Sequence, residues 1–166
     1  FYGCSSLTNI VIPEGVSEIP QQCFEECTSL VNVELPKTAS KIGVQCFYGC
    51  SSLTNIVIPE GVSEIPQQCF EECTSLVNVE LPKTASKIGV QCFYGCSSLT
   101  NIVIPEGVSE VSRSCFCECP SLVSVVLPSS LREIGSDCFK GCNSLTNVTI
   151  KEGILKLSEN CFSWCI

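Results

Sequence analysis

The sequence predicts a solenoid of α/β type, a chain wound into stacked rungs, and three observations predict it. Leucines stand at Leu7, Leu30, Leu53, Leu76, Leu99, Leu122 and Leu145, always 23 residues apart. Residues 1–46 recur without change as 47–92, and the copy continues through 93–110 before it drifts. One phenylalanine recurs in every unit, from Phe24 through Phe47, Phe70, Phe93, Phe116 and Phe139 to Phe162. A fixed period of this size is the signature of a repeat architecture. The reading is one solenoid over 1–166 with repeats starting at 7, 30, 53, 76, 99, 122 and 145. Phe1 opens the chain in mid-rung and Cys165-Ile166 closes it with little that resembles a cap, so the sequence reads as a fragment of a longer array.

Two flavours of the unit alternate, LTNIVIPEGVSEIPQQCFEECTS and LVNVELPKTASKIGVQCFYGCSS. Leu7, Ile10 and Ile12 fit a short strand, with Ile10 and Ile12 on one face. Pro13 ends it, having no N–H for a continuing ladder. Pro13-Glu14-Gly15 reads as a turn. Val16 and Ile19 return apolar groups inward. Cys23, Phe24 and Cys27, at i, i+1 and i+4, fit one face of a single helical turn. Each unit thus offers eight inward columns. A lone unit cannot bury its apolar face, but seven stacked units can. At the ~4.8 Å spacing of paired strands the body is about 35 Å long.

The pattern LxxIxIPxxVxxIxxxCFxxCxS, recurring along the whole chain, resembles the BspA-like, or Treponema-type, leucine-rich repeats. The resemblance implies a leucine-rich-repeat right-handed superhelix with one parallel β-sheet face and short helical or 3-10 turns on the outer arc. It further implies a secreted or surface-displayed protein used for adhesion or protein contact, without catalytic residues or cofactors. One departure stands out. The position before each Phe, often Ala in the family, is Cys throughout.

The sixteen cysteines fall almost entirely in two columns. Seven CxxxC pairs result: Cys23 and Cys27, Cys46 and Cys50, Cys69 and Cys73, Cys92 and Cys96, Cys115 and Cys119, Cys138 and Cys142, Cys161 and Cys165. Cys4 loses its partner to the start of the chain, and Cys117 lies outside both columns as a free or intermolecular thiol. Three readings stand open. Disulfides, within or between rungs, are favoured because cysteine-dense chains are mostly secreted. Alternatively the columns are ladders of buried thiols packing as small hydrophobes. Metal binding needs a site on every rung with no histidine, although the spacing allows it.

Outward strand positions form a candidate binding face. One column is Asn9, Asn32, Asn55, Asn78, Asn101, Ser124 and Asn147. The next is Val11, Glu34, Val57, Glu80, Val103, Val126 and Thr149. A stacked amide ladder is one role for the asparagines, and ligand contact is another. Charges alternate between rungs at Glu14, Lys37, Glu60, Lys83 and Glu106, and at Glu18, Lys41, Glu64 and Lys87, which keeps like charges apart. Tyr48, Tyr94 and Trp164 are candidate hot spots or a cover for the thin outer arc. Asn147-Val148-Thr149 is a glycosylation sequon on a strand.

A net charge of −8 argues against nucleic acid, whose binders carry a basic patch. With no histidine, neither a Ser-His-Asp nor a Cys-His constellation can be drawn. The expected function is an extracellular or cell-surface scaffold for protein contact or adhesion, its partner a protein or a glycan-coated surface. The alternative is a structural component of a fibre, wall or coat, built by copies stacking end to end.

Overall fold

The computed structural model describes residues 1–165; Ile166 lies outside the described residues. Each rung carries two short strands. The first strands are Asn9–Val11, Asn32–Glu34, Asn55–Val57, Asn78–Glu80, Asn101–Val103, Ser124–Leu127 and Asn147–Ile150. The second are Glu18–Ile19, Lys41–Ile42, Glu64–Ile65, Lys87–Ile88, Glu110–Val111, Glu133–Ile134 and Lys156–Leu157. All pairings are parallel and join residues 23 positions apart, as in Asn9 with Asn32 and Glu18 with Lys41. The repeat period is therefore the register.

The expected single sheet face is a partial description. The second strands form their own parallel ladder, five strands long from Glu64–Ile65 to Lys156–Leu157. Once rungs stack at strand spacing, any extended stretch of the unit meets its copy and bonds to it.

The eight inward columns are realised. In one inner rung Leu53, Ile56, Ile58, Val62, Ile65, Cys69, Phe70 and Cys73 are all buried. The Phe column becomes a continuous stack from Phe1 to Phe162. Successive ring centroids lie 5.2–5.4 Å apart, with interplanar angles of 2–9°.

Among the described residues no helix forms, so the helical or 3-10 turns expected on the outer arc are replaced. The cause is two left-handed residues per rung, four positions apart. Gln22 and Glu26 have φ of 56° and 57°, Gln68 and Glu72 have 55° and 59°, and Gln45 and Gly49 have 55° and 67°. Each left-handed residue closes a turn before a helix can propagate. The backbone then bonds along the stack. Gln22, Phe24 and Glu26 donate their N–H groups to the carbonyls of Val44, Cys46 and Tyr48 at 2.8–2.9 Å. A helix would have spent those donors within its own rung; stacking uses them between rungs.

Close approach at the second strands requires glycine. A Cβ on Gly89 would lie 2.5 Å from the backbone nitrogen of Gln67, and one on Gly43 2.2 Å from that of Gln21. Gly89→Ala is therefore expected to destabilise the protein by about 1–3 kcal/mol, the usual cost of overpacking. Urea unfolding checks this, with Ser86→Ala, exposed on the same rung, expected within about 0.5 kcal/mol of wild type.

Candidate interaction surfaces

The outward columns of the first strands lie where the sequence places them. Asn9, Asn32, Asn55, Asn78, Asn101 and Asn147 are exposed, as are Glu34 and Glu80. Val11, Val57 and Val103 are 66%, 59% and 65% exposed, whereas Val126 is half-buried.

The amide ladder forms at one step, where Asn32 Nδ2 donates to Asn9 Oδ1 at 2.8 Å. In the other flavour of rung the amide turns to its own strand. Asn9, Asn55, Asn101 and Asn147 donate to Thr8, Thr54, Thr100 and Thr146 Oγ1 at 3.0–3.1 Å. A neighbouring hydroxyl thus diverts the amide, and most of the asparagine column does not serve to tie rungs together.

A further column was missed in the sequence. Val31, Val77 and Val123 are exposed on the alternate rungs, in line with the threonines that orient the asparagines. The signal was present, since Thr and Val alternate there out of phase with Val and Glu two columns away. The exposed valines therefore zigzag from rung to rung around the asparagines.

The charged columns act differently from simple alternating pairs. Glu18 and Lys41 do pair, at 2.7 Å, on an exposed surface where such a contact contributes little. At the turn, however, the carboxylates serve the backbone. Glu14 accepts from the N–H of Lys37 at 3.1 Å, Glu60 from that of Lys83 at 2.9 Å, and Glu106 from that of Ser129 at 3.1 Å.

All sixteen cysteines are free thiols, which corrects the favoured disulfide reading for Cys23, Cys27, Cys46, Cys50, Cys69, Cys73, Cys92, Cys96, Cys115, Cys119, Cys138, Cys142, Cys161 and Cys165. The geometry supplies the reason. Within each CxxxC the residue before the second Cys is left-handed, which turns that thiol along the stacking axis. Cys50 then donates to the Phe24 carbonyl, Cys73 to Phe47, Cys96 to Phe70 and Cys119 to Phe93, each at 3.1 Å. The thiol satisfies a carbonyl of the previous rung, a role that Ala or Val cannot fill. Burial pushes Cys50 and Cys142 up to about 12 and raises the other inner thiols well above their ordinary range. Cys117 is likewise a free thiol, and it is only 6% exposed. Among the described residues no group of three or more acidic, Cys or His side chains is placed to hold a metal ion.

Tyr48 and Tyr94 are half-buried on the two-turn segment, and Trp164 is exposed. A shallow groove of about 760 Å³ runs along the second strands between Pro20, Lys41, Gly43, Val44 and Pro66. Among the described residues no helix is long and apolar enough to cross a membrane.

Comparison with known proteins agrees with this architecture. The sequence profile of the BspA type leucine rich repeat region matches residues 1–122 and 40–166, in six copies. The chain is similar to a T. pallidum leucine rich repeat protein of known structure, with 33% identity and a TM-score of 0.82, over 85% of this chain and 68% of that one. It is also similar to a leucine-rich repeat protein from Bacteroides ovatus, with 28% identity and a TM-score of 0.64, over 89% of this chain and 50% of that one. A leucine rich cell surface protein from Faecalibacterium prausnitzii shares the fold at 24% identity and a TM-score of 0.57, over 100% of this chain and 60% of that one. No curated protein matches the sequence. With the repeat, the register and the inward columns all those of one family, the chain belongs to the BspA-type leucine-rich repeat proteins.

Proposed function

We propose that the protein is a cell-surface or extracellular scaffold that contacts other proteins through the face of its first strands, and that adhesion is the use of that contact. The observation that carries this reading is the zigzag of exposed valines around the asparagines. Folding does not require them, since each is directed away from the core columns. Their side chains offer apolar contact, and most of the asparagine amides are not used to join rungs. Repetition every second rung presents the same small surface several times, which raises avidity through effective concentration. The cell-surface description of the F. prausnitzii protein supports the location.

Panning a phage-displayed peptide library on the immobilised protein tests the reading. Peptides enriched on wild type are expected to lose at least about tenfold in affinity, about 1.4 kcal/mol, on the variant Val57→Ser, Val103→Ser, Val126→Ser. They should keep their affinity for Ser40→Ala, Ser63→Ala, Ser86→Ala, which alters the second-strand side. Equal binding to both variants, with unchanged circular dichroism, would move the contact off the first-strand face.

A further inference from the structure

A further set of acids gathers on the two-turn segment, where among the described residues no lysine of a neighbouring rung pairs with them. Glu25, Glu26, Glu71, Glu72 and Glu118 stand in two adjacent columns there. Five glutamates against the single Lys140 leave −4, half of the net charge of −8. Elsewhere Glu14, Glu18, Glu60 and Glu106 each meet a lysine or a backbone N–H of the next rung, whereas Glu34 and Glu80 stand beside valines. Here the facing residues are Tyr48-Gly49 and Tyr94-Gly95, and among the described residues none of the five glutamates forms an ion pair. Lys140 turns to Asp137, 3.7 Å away.

The chain holds these carboxylates in place at a cost. Glu26, Glu72 and Glu118 have φ of 57–59°, a left-handed conformation that costs a side-chain-bearing residue roughly 1–2 kcal/mol. The alternate rungs place glycine at the same position, so folding alone would be better served by glycine throughout. Each of these side chains lies against the glycine of the next rung. A Cβ on Gly49 would be 2.8 Å from Glu26 Oε1, and one on Gly95 2.8 Å from Glu72 Oε1.

Glu71 points to a ligand. It is only 9% exposed, and its Oε2 is buried without a hydrogen-bond partner. Glu25 Oε2 is in the same state. Burial raises the Glu71 carboxyl, the Gln68 side chain beside it opposes that in part, and Glu72 raises it further. Tyr48 and Tyr94 flank it on the neighbouring rungs, and both tyrosines sit in the field of Glu71 and Glu72. Carboxylates with one oxygen short of a donor, set between aromatic rings, suit an ammonium or guanidinium group, which pairs with the acid and stacks on the ring. Rotation of the tyrosine side chains, a common adjustment on binding, opens the way to the buried oxygen.

We propose that the ridge of Glu25, Glu26, Tyr48, Glu71, Glu72 and Tyr94 binds an extended lysine- or arginine-rich segment of a partner protein. The acids repeat every second rung. Ring spacings of 5.4 Å from Phe24 to Phe47 and 5.4 Å from Phe47 to Phe70 set that repeat, roughly the rise of one three-residue turn of a polyproline II segment, which returns every third side chain to the same face. A basic residue at every third position meets each acidic rung in turn.

Fluorescence anisotropy with a labelled peptide carrying arginine at every third position, between glycine and serine, tests this on the purified protein at about 0.1 M salt. The variant Glu26→Gln, Glu71→Gln, Glu72→Gln is expected to bind at least tenfold more weakly. A control with the same change in net charge, Glu34→Gln, Glu64→Gln, Glu80→Gln, should lose less than threefold. The first-strand valine variant should bind as wild type does, so this surface and the first-strand face succeed or fail separately. Equal weakening by the two glutamine variants would reduce the effect to overall charge and overturn the proposal. So would absence of peptide binding, or displacement of the peptide by millimolar calcium with saturable calcium binding lost in the ridge variant.

Discussion

Phe93→Ala is expected to destabilise the protein by about 3–5 kcal/mol, the range for removing a buried aromatic ring. Phe93 is fully buried and stacked between Phe70 and Phe116, at 5.3 and 5.2 Å. Its loss removes two ring contacts as well as apolar area, each worth roughly 0.5–1.5 kcal/mol beyond burial. In a solenoid each rung touches only its neighbours, so the gap also weakens coupling between the two halves. Urea unfolding should show both a lower midpoint and a shallower or divided transition. Phe93→Leu, which fills most of the volume, should cost less than half as much. A single undivided transition shifted by under about 1 kcal/mol would mean that the stack does not carry the coupling.

Alkaline unfolding is expected to begin just above pH 9 and to be unusually steep. The ten thiols of the five inner pairs, from Cys46 and Cys50 to Cys138 and Cys142, are all raised by burial above the value of 9.0 they take when exposed. Below pH 9 folded and unfolded chains both hold these protons, and stability does not depend on them. Above pH 9 the unfolded chain releases protons that the folded chain keeps. Stability then falls by about 1.4 kcal/mol per pH unit for each such thiol. The loss continues until the folded thiols ionise, at about 12 for Cys50 and Cys142. Several thiols acting together unfold the chain well before that limit. Circular dichroism against pH follows the transition, and alkylation in denaturant without reductant should label sixteen thiols in the same sample. Replacing Cys69, Cys92 and Cys115 by Ala should reduce the slope by about three protons. A transition with no dependence on these residues would contradict the buried-thiol account.

The cysteines also mark the limit of what spacing can say. A column of identical residues repeating every 23 positions is as compatible with bonds between thiols as with thiols packed side by side. The choice depends on which way Sγ points, and the left-handed residue inside each CxxxC decides that. In the sequence the residue is Glu26 in one flavour and Gly49 in the other. Gly49 hints at a left-handed position; Glu26 does not. The helical turn expected from Cys23, Phe24 and Cys27 was the wrong inference for the same reason. The spacing of the inward residues suits a helix, yet Gln22 and Glu26 break it, and the freed N–H groups bond to the next rung.

The sequence by itself determined the period, the parallel register, the eight inward columns and the order of residues along each outward column. These follow from translation alone, because stacking equivalent rungs places residue i beside residue i+23 whatever the path between them. Tertiary structure decided what symmetry leaves open. It turned the asparagine amides toward Thr8, Thr54 and Thr100 rather than up the stack, and gave Glu14 and Glu60 a backbone N–H in place of a lysine ammonium. It built a second ladder at Glu18–Ile19 and its copies, and left the Oε2 of Glu71 buried without a donor. Each of these is a competition among hydrogen-bond partners within a few ångströms. The winner is set by where the adjacent rung places its hydroxyls, carbonyls and N–H groups, and that placement exists only once the rungs have stacked.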